Sequence, residues 1–381
     1  MGARQHVSIS DGWDEPGESE STRSGPGIRV AVVGVGYWGS KQLRVMSATP
    51  GVDRVVAVDS RLPLLSGMAH LVASGGGFTS LTEALPFVDA VVVATPPASH
   101  VTVGLEAIRA GKHVLIEKPL ATSVAGARAL VDTARQAGVT LMVGHTFEFN
   151  AAVWMLRELV QSQELGELYY LDSARLNLGL YQADVNVITD LAPHDISICN
   201  HVLGAAPSSV QAWGSRHVDP GLEDVAFLKL RYAELGVQAH IHVSWLDPRK
   251  VRVVTAVGSK KMAVYDDTNA EERIRVHDKA ALPAPAGAGG PVSYHRGAVT
   301  SPALSVDEPL AVQARHFVDC VRRRVVPVTD GANGLAVVQV LEAAQRSLAE
   351  DRTVLMEEIT DPARPGLIPV PATSTRSAVP A

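Results

Sequence analysis

Short, unbroken apolar runs alternate with amphipathic stretches over the first 148 positions. IRVAVVG (Ile28–Gly34), RVVAVDS (Arg54–Ser60), DAVVVATPP (Asp89–Pro97), KHVLIEKP (Lys112–Pro119) and VTLMVGHTF (Val139–Phe147) are rich in β-branched residues, as strands buried on both faces require. Between them KQLRVMSAT, residues Leu81–Leu85, HVTVGLEAIRAG closed by Gly111, and ATSVAGARALVDTARQAG ending at Gly138 read as helices, with LPLLSGMAHLV a further apolar segment. Strand–helix alternation at this length predicts an α/β fold with a doubly wound parallel sheet.

After Phe149 the pattern changes. A helix over Ala151–Glu164 and another beginning within DLAPHDIS (Asp190–Ser197) precede VAFLKLRY, VQAHIHVSWL, KVRVVTAVG and KKMAVYDD, which read as consecutive strands of a mixed or antiparallel sheet. PAPAGAGGPVS (Pro283–Ser293) is a loop, and EPLAVQARHFVDCVRRR and ANGLAVVQVLEAAQRSL are closing helices. The expected organisation is a tail over 1–27, a dinucleotide-binding domain over 28–148, an α+β substrate and oligomerisation domain over 149–358, and a tail over 359–381. No internal repeat is visible.

Composition narrows the function classes. The 381 residues are 46% hydrophobic and 19% charged, ordinary for a soluble globular protein, and the net charge of −6 argues against a nucleic-acid binder. No apolar run is long enough to span a bilayer, so no membrane partner is expected. The first 27 residues are polar and acidic, rich in Gly and Ser, and lack an apolar signal core; they read as disordered. Two cysteines, Cys199 and Cys320, give a chain of this size no need of a disulfide, so a reducing cytoplasm is the expected compartment.

The chemistry begins at the first strand. Gly34, Gly36 and Gly39 form G-x-G-x-x-G between a strand and a helix, and Asp59 follows twenty positions later at the end of the next strand. That combination is the dinucleotide fingerprint: a tight turn at Gly34, pyrophosphate approach at Gly36, close helix–strand packing at Gly39, and a carboxylate for the adenosine ribose. Tyr37 and Trp38 within the turn and Ser60 beside Asp59 join the cofactor-facing set. Asp59 favours NAD; Arg61, two positions on, leaves NADP possible by offering a partner to its 2′-phosphate. Glu117 and Lys118 stand at the carboxyl edge of their strand, where ligands of such sheets bind, and a lysine there can polarise a hydroxyl or carbonyl oxygen. In DLAPHDIS, Asp190 and His194 share one helical face, with Asp190 a plausible cap and Pro193 suited to a first turn.

GVGYWG, TPPASH (Thr95–His100), GKHVLIEKPLA and DLAPHDIS, in that order, make the chain resemble the glucose–fructose oxidoreductase / inositol dehydrogenase / MocA-like family from about Ile28 to Arg352. The resemblance implies an NAD(P)-dependent sugar or polyol dehydrogenase whose second domain is an open-faced sheet that often mediates oligomers, here a dimer or tetramer. It implies Lys118 as the catalytic lysine, Asp190 and His194 as the rest of an acid/base set, Glu117 on the nicotinamide ribose, and Thr95, Pro96 and His100 on the cofactor side. The residues suggest the division of labour. His194 takes the hydroxyl proton, Asp190 orients the imidazole, and Lys118 stabilises the developing alkoxide as hydride passes to the nicotinamide. No metal is needed: zinc dehydrogenases commonly add thiolates, and Cys199 reads as core. His240 and His242 share a strand face and read as packing or interface. Asp195 reads as a packing partner.

Phe149, Asn150, Arg175, Asn177 and Tyr181, with His194, are the expected substrate-lining residues, although exposed strand face or simple packing would also explain Arg175, Asn177 and Tyr181. HTFEFN, YYLDSARLNLGLYQADVN and SWLDPRKVRVVTAVGSKKMAVYDD are similar to the family's nucleotide-sugar branch, implying oxidation at C3 of a UDP-glucose or UDP-N-acetylglucosamine type of sugar. A 3-ketoreductase of TDP-deoxysugars, a free polyol dehydrogenase, and a non-catalytic NAD sensor are the alternatives.

Overall fold

The computed structural model describes residues 27–68, 70–72, 76–179, 181–182, 185–282 and 292–360. The expected tails, but for Gly27, Ile359 and Thr360, and nearly all of the Pro283–Ser293 loop lie outside these residues. Six strands, β1 (Ile28–Val33), β2 (Val52–Val58), β3 (Gly77–Phe78), β4 (Ala90–Val93), β5 (His113–Glu117) and β6 (Leu141–Gly144), form a parallel sheet in the order β3-β2-β1-β4-β5-β6. Val30, Ala31 and Val32 are wholly buried, because helices cover both faces and leave no polar alternation to read. The connecting helices are α1 (Tyr37–Ala48), α2 (Leu62–Gly67), α3 (Leu81–Ala84), α4 (His100–Arg109) and α5 (Val124–Ala137).

The second sheet has nine strands: β7 (Leu168–Leu178), β8 (Ser209–Ser215), β9 (Val225–Tyr232), β10 (Val237–Ser244), β11 (Leu246–Gly258), β12 (Met262–Asp266), β13 (Ile274–Leu282), β14 (Ser293–Thr300) and β15 (Val354–Leu355). Their order is β14-β13-β12-β11-β7-β10-β9-β8-β15. β7 and β10 pair parallel and the other pairs are antiparallel, so the sheet is mixed. Alternate side chains face inward, such as Ala226, Leu228, Leu230 and Tyr232 of β9, and α6 (Ala151–Gln161), α7 (Val187–Leu203) and α9 (Gly331–Glu350) cover that side. Among the described residues the opposite side is open, with Trp213 51% exposed. It carries a stack of Trp213, Phe227 and His242 with ring centroids 5.4 and 4.1 Å apart. The chain ends its described part in α10 (Glu357–Thr360), whose Ile359 is buried.

α8 (Pro309–Arg323) returns from the far end of the chain to the first sheet. Leu310, Ala314, Phe317 and Val318 pack with Val30, Val32, Leu43 and Met46 in one apolar cluster. α7 corrects the sequence expectation. It starts three residues before Asp190, and Asn186 is its cap, accepting from Thr189 N at 3.2 Å. Pro193 therefore lies inside the helix, where its missing N–H leaves the Thr189 carbonyl without an intrahelical donor. Among the described residues no helix is long and apolar enough to cross a membrane.

Candidate active site

The glycine turn fits a dinucleotide. Gly34 has φ +82°, and a Cβ there would lie 2.9 Å from Ala94 O; a Cβ on Gly39 would fall 1.7 Å from Gly34 O. Gly36 is different: nothing stands within 4 Å of where its Cβ would be, and as the cap of α1 it leaves the helix N-terminus without a side-chain partner. An open backbone at a helix N-terminus is where a pyrophosphate binds. Gly36→Val is expected to leave the melting transition nearly unchanged and to weaken NAD binding by about tenfold or more, read by calorimetric titration. Gly39→Ala should instead lower the melting temperature, because its methyl meets a backbone oxygen. Equal NAD affinity in Gly36→Val and the native protein would remove the cradle from this turn.

Asp59 closes the turn from the second strand. Its carboxylate accepts from Val35 N at 3.0 Å and from Arg61 through N and Nε at 3.0 Å and Nη2 at 3.1 Å. Burial opposes its ionisation, but the Arg61 guanidinium and the two backbone N–H groups outweigh that and hold the carboxyl below its ordinary range. Ser60 is exposed beside it. Thr95 Oγ1 accepts from Ser99 Oγ at 2.7 Å in the turn around Pro96. His100 is buried, with Nδ1 2.8 Å from Pro119 O and Nε2 2.9 Å from Thr95 O, so it ties two loops of the cofactor side together. Glu117 Oε1 accepts from Gln42 Nε2 at 2.7 Å, and burial raises its pKa. Tyr37 and Trp38 are 73% and 47% exposed, and the Lys41 ammonium lies 4.1 and 4.8 Å from their ring centres. Lys41 lowers the Tyr37 pKa, and Lys250 and Arg252 of β11 add to this from the second domain.

Lys118, Asp190 and His194 meet at the carboxyl edge of β5. Lys118 Nζ donates to the Asp190 carbonyl at 2.8 Å and lies 3.6 Å from Asp190 Oδ1. Burial lowers the lysine pKa against the pull of Asp190 and Glu117. Asp190 Oδ2 accepts from Trp245 Nε1 at 3.1 Å. The expected Asp190–His194 hydrogen bond is therefore not made: the carboxylate is committed to Trp245 and Lys118. His194 Nδ1 is buried and has no hydrogen-bond partner among the described residues, while Phe147 meets the imidazole edge-to-face at 5.0 Å. Burial, then the charges of Lys118 and Arg175, push the His194 pKa well below its ordinary value.

The remaining expected residues divide. Arg175 is buried, bonded through Nε and Nη2 to Asp195 at 2.7 and 3.2 Å, with its guanidinium 4.6 Å from the centre of Phe147. Asp195, read as packing, is thus half of a buried ion pair that Ser173 Oγ completes at 2.8 Å. Tyr181 packs on Trp245 at 4.8 Å and donates to Asp224 at 2.5 Å; burial and that carboxylate push its pKa up to about 12. Asn177 is half-buried on β7. Phe149 lies in the core beside the residues of α8, and Asn150 caps α6 through Ala152 N at 2.9 Å and donates to Tyr265 at 3.2 Å. Cys199 is fully buried, and burial holds its thiol protonated. Sequence reading passed over Gln42, Trp245, Phe147 and His145. His145 had a signal, since it directly follows a strand at the ligand edge of a parallel sheet.

Residues 28–145 match a family described as "Oxidoreductase family, NAD-binding Rossmann fold", and residues 153–264 match its "GFO/IDH/MocA C-terminal domain". The chain is 27% identical to UDP-N-acetylglucosamine 3-dehydrogenase of Acidithiobacillus ferrooxidans over 331 residues, 82% of this chain and 94% of that one. It is 23% identical to the NAD-dependent scyllo-inositol 2-dehydrogenase of Bacillus subtilis over 348 residues, 87% and 96% of the two chains. GenD2 from gentamicin A biosynthesis, solved with NAD, superposes with a TM-score of 0.73 at 28% identity, covering 87% of this chain and 97% of its own. A glycine turn open at Gly36, a carboxylate at the end of β2 and both matched domains lead to one conclusion: the chain belongs to the GFO/IDH/MocA family of oxidoreductases and is built on its NAD-binding Rossmann fold.

Proposed function

We propose that this enzyme is an NAD-dependent dehydrogenase of sugar or polyol secondary alcohols and that its substrate is a nucleotide-activated sugar, oxidised at C3. The observation that carries the choice is a basic group set against two exposed aromatic rings beside the glycine turn. Lys41 with the exposed Tyr37 and Trp38 stands on the first domain, and the charges of Lys250 and Arg252 on the second act on the same phenol. Basic groups beside aromatic faces suit a diphosphate joined to a base. The 27% identity to the UDP-N-acetylglucosamine enzyme over nearly its whole length agrees with this reading.

NAD supplies the hydride acceptor. The chain's own residues handle the hydroxyl. His194 is held neutral by its surroundings and can accept the hydroxyl proton near neutral pH, a contribution of about 10²–10⁴-fold for a positioned base. The Lys118 ammonium, fixed by the Asp190 carbonyl, faces the oxygen on which negative charge develops. Asp190 keeps that ammonium in place and is itself held by Trp245. The open sheet face bearing Trp213, Phe227 and His242 is the surface proposed to join copies into a dimer or tetramer. With both described cysteines free and buried, the reducing cytoplasm remains the proposed compartment.

A second reading, a free polyol dehydrogenase, rests on the scyllo-inositol relative. NADH formation with UDP-glucose, UDP-N-acetylglucosamine, TDP-sugars, myo-inositol and scyllo-inositol separates the two. A UDP-sugar is expected to lead the free polyols in kcat/KM by about 100-fold, the worth of two well-placed charged contacts. Turnover of an inositol with none of any nucleotide sugar would overturn the first reading and favour the second.

A further inference from the structure

Near the proposed base lies a cluster of buried nitrogens without hydrogen-bond partners among the described residues. Glu117 and Gly144 are register partners across β5 and β6, so Lys118 and His145 leave the sheet side by side. His145 is 1% exposed, and neither of its ring nitrogens has a hydrogen-bond partner among the described residues; His194 Nδ1 is in the same condition. Phe147, two residues beyond His145, touches the His194 ring, which fixes the end of β6 against α7. On its other side His145 adjoins Glu148, whose N–H donates to the His145 carbonyl at 2.9 Å. The Glu148 carboxylate is buried, 3.3 Å from His201 Nδ1 and 3.2 Å from Asn333 Nδ2. His201 Nε2 and Asn333 Oδ1 are also buried and unpartnered among the described residues. Buried polar atoms of folded proteins are nearly always satisfied, and a small polar chamber satisfies them with ordered water.

The charges around His194 make this cluster consequential. The charged groups that face its ring are Lys118, Arg175 and Arg252, and His145 is the other titratable neighbour. The nearby acids are taken: Asp190 by Lys118 and Trp245, Asp195 by Arg175, and Asp267 by Arg252 at 3.3 Å. A proton left on His194 would sit among cations. The Glu148 carboxylate favours a proton on His145 and the Lys118 ammonium opposes one. Burial leaves it neutral, with a pKa lowered to about 4, and so able to pass a proton without keeping it.

We propose that His145 is the relay behind His194: one ordered water joins His194 Nδ1 to His145, and a second joins the opposite His145 nitrogen to the Glu148 carboxylate, where the proton is delivered. The inference rests on the proposed dehydrogenation but not on the choice of sugar. As the substrate O–H bond breaks, an N–H bond forms on His194 Nε2 and the one on Nδ1 is released to water. That water gives one of its own protons to one His145 nitrogen, the opposite nitrogen gives up its proton to a second ordered water, and that water gives one of its own protons to Glu148. Charge is conserved at each transfer, the C–H electron pair leaves with the hydride to NAD, and ketone reduction runs the same chain backward. His145 touches no reacting atom; it is a positioning residue acting through His194.

His145→Ala is expected to lower kcat by about 100-fold with KM changed by less than about threefold. The substrate is the panel compound that the native enzyme oxidises fastest. Added imidazole, which fits the hole, should restore most of the loss, whereas His145→Phe fills the hole and should be slow and insensitive to imidazole. Native kcat in both variants, or a loss that imidazole does not move, overturns the relay. Should these variants fail to fold, ¹⁵N-histidine NMR of the native chain and Glu148→Gln gives the answer without any substrate. Glu148→Gln should shift the ring nitrogens of both His145 and His194, and unmoved signals refute the link. Because this arm requires no turnover, a wrong substrate class and a wrong relay give different results.

Discussion

Lys118→Met is expected to lower kcat by about 10³-fold while NAD affinity and melting temperature stay close to native. The lysine side chain is 15% exposed, and its ammonium is fixed by the Asp190 carbonyl at 2.8 Å. A preformed cation in a site that excludes water stabilises an alkoxide far more than it would in solvent, and methionine keeps the length and apolar stem while deleting the charge. The fold should tolerate the change. Desolvation already penalises this ammonium, and Asp190, left without it, retains Trp245 Nε1 and is partly exposed to water. Lys118→Arg should be nearly as slow, because a planar fork does not replace a compact ammonium. The pH profile supplies an independent sign. Burial lowers the Lys118 pKa, so the active ammonium is lost, and activity falls, as pH rises through a value below that of a free lysine. The residual activity of Lys118→Met should lack that alkaline limb. A loss under about tenfold, with the limb intact, would take the alkoxide role from Lys118.

How much of this was legible in the sequence depended on whether the decisive contacts were local. The first sheet was readable because burial on both faces writes continuous apolar runs, and the glycine turn because each glycine answers a separate steric demand. β3 and β15 are two residues long and leave no pattern; β14 is exposed along its whole length and shows no alternation. That α8 completes the first domain's core follows from a packing across more than 250 residues of chain, and local periodicity cannot express it. The same limit governs the site. DLAPHDIS announced an aspartate and a histidine one turn apart, yet whether they touch was decided by Trp245, which draws the Asp190 carboxylate away. Phe149 and Asn150 stood in the right segment, but the short 3₁₀ turn Thr146–Phe149 turns one into the core and spends the other on capping α6. Arg175 read as substrate-lining because its partner Asp195 lies twenty residues away on another element.

That ion pair carries the second large effect. Asp195→Ala is expected to destabilise the protein by about 3–5 kcal/mol, read by urea unfolding, because it leaves a buried guanidinium without its counter-charge. The two side chains are only 7% and 2% exposed, so solvent cannot take the carboxylate's place, and Ser173 loses its acceptor as well. Removing both charges should cost much less: Arg175→Met with Asp195→Leu keeps the volume apolar and is expected within about 1–2 kcal/mol of native. The double variant also tests the electrostatics of the proposed base. Arg175 is among the charges that lower the His194 pKa, and oxidation needs His194 neutral. Below that pKa activity is lost, so deleting the guanidinium should raise the pKa and move the acid limb of kcat/KM to higher pH. The pair's net charge is near zero, and the shift is therefore smaller than a lone arginine would give. An Asp195→Ala protein that folds should move the limb the other way, because its unbalanced guanidinium opposes a proton on His194 more strongly. If the double variant is as unstable as Asp195→Ala, the cost lies in packing rather than charge; if the two acid limbs move together, Arg175 does not act on His194.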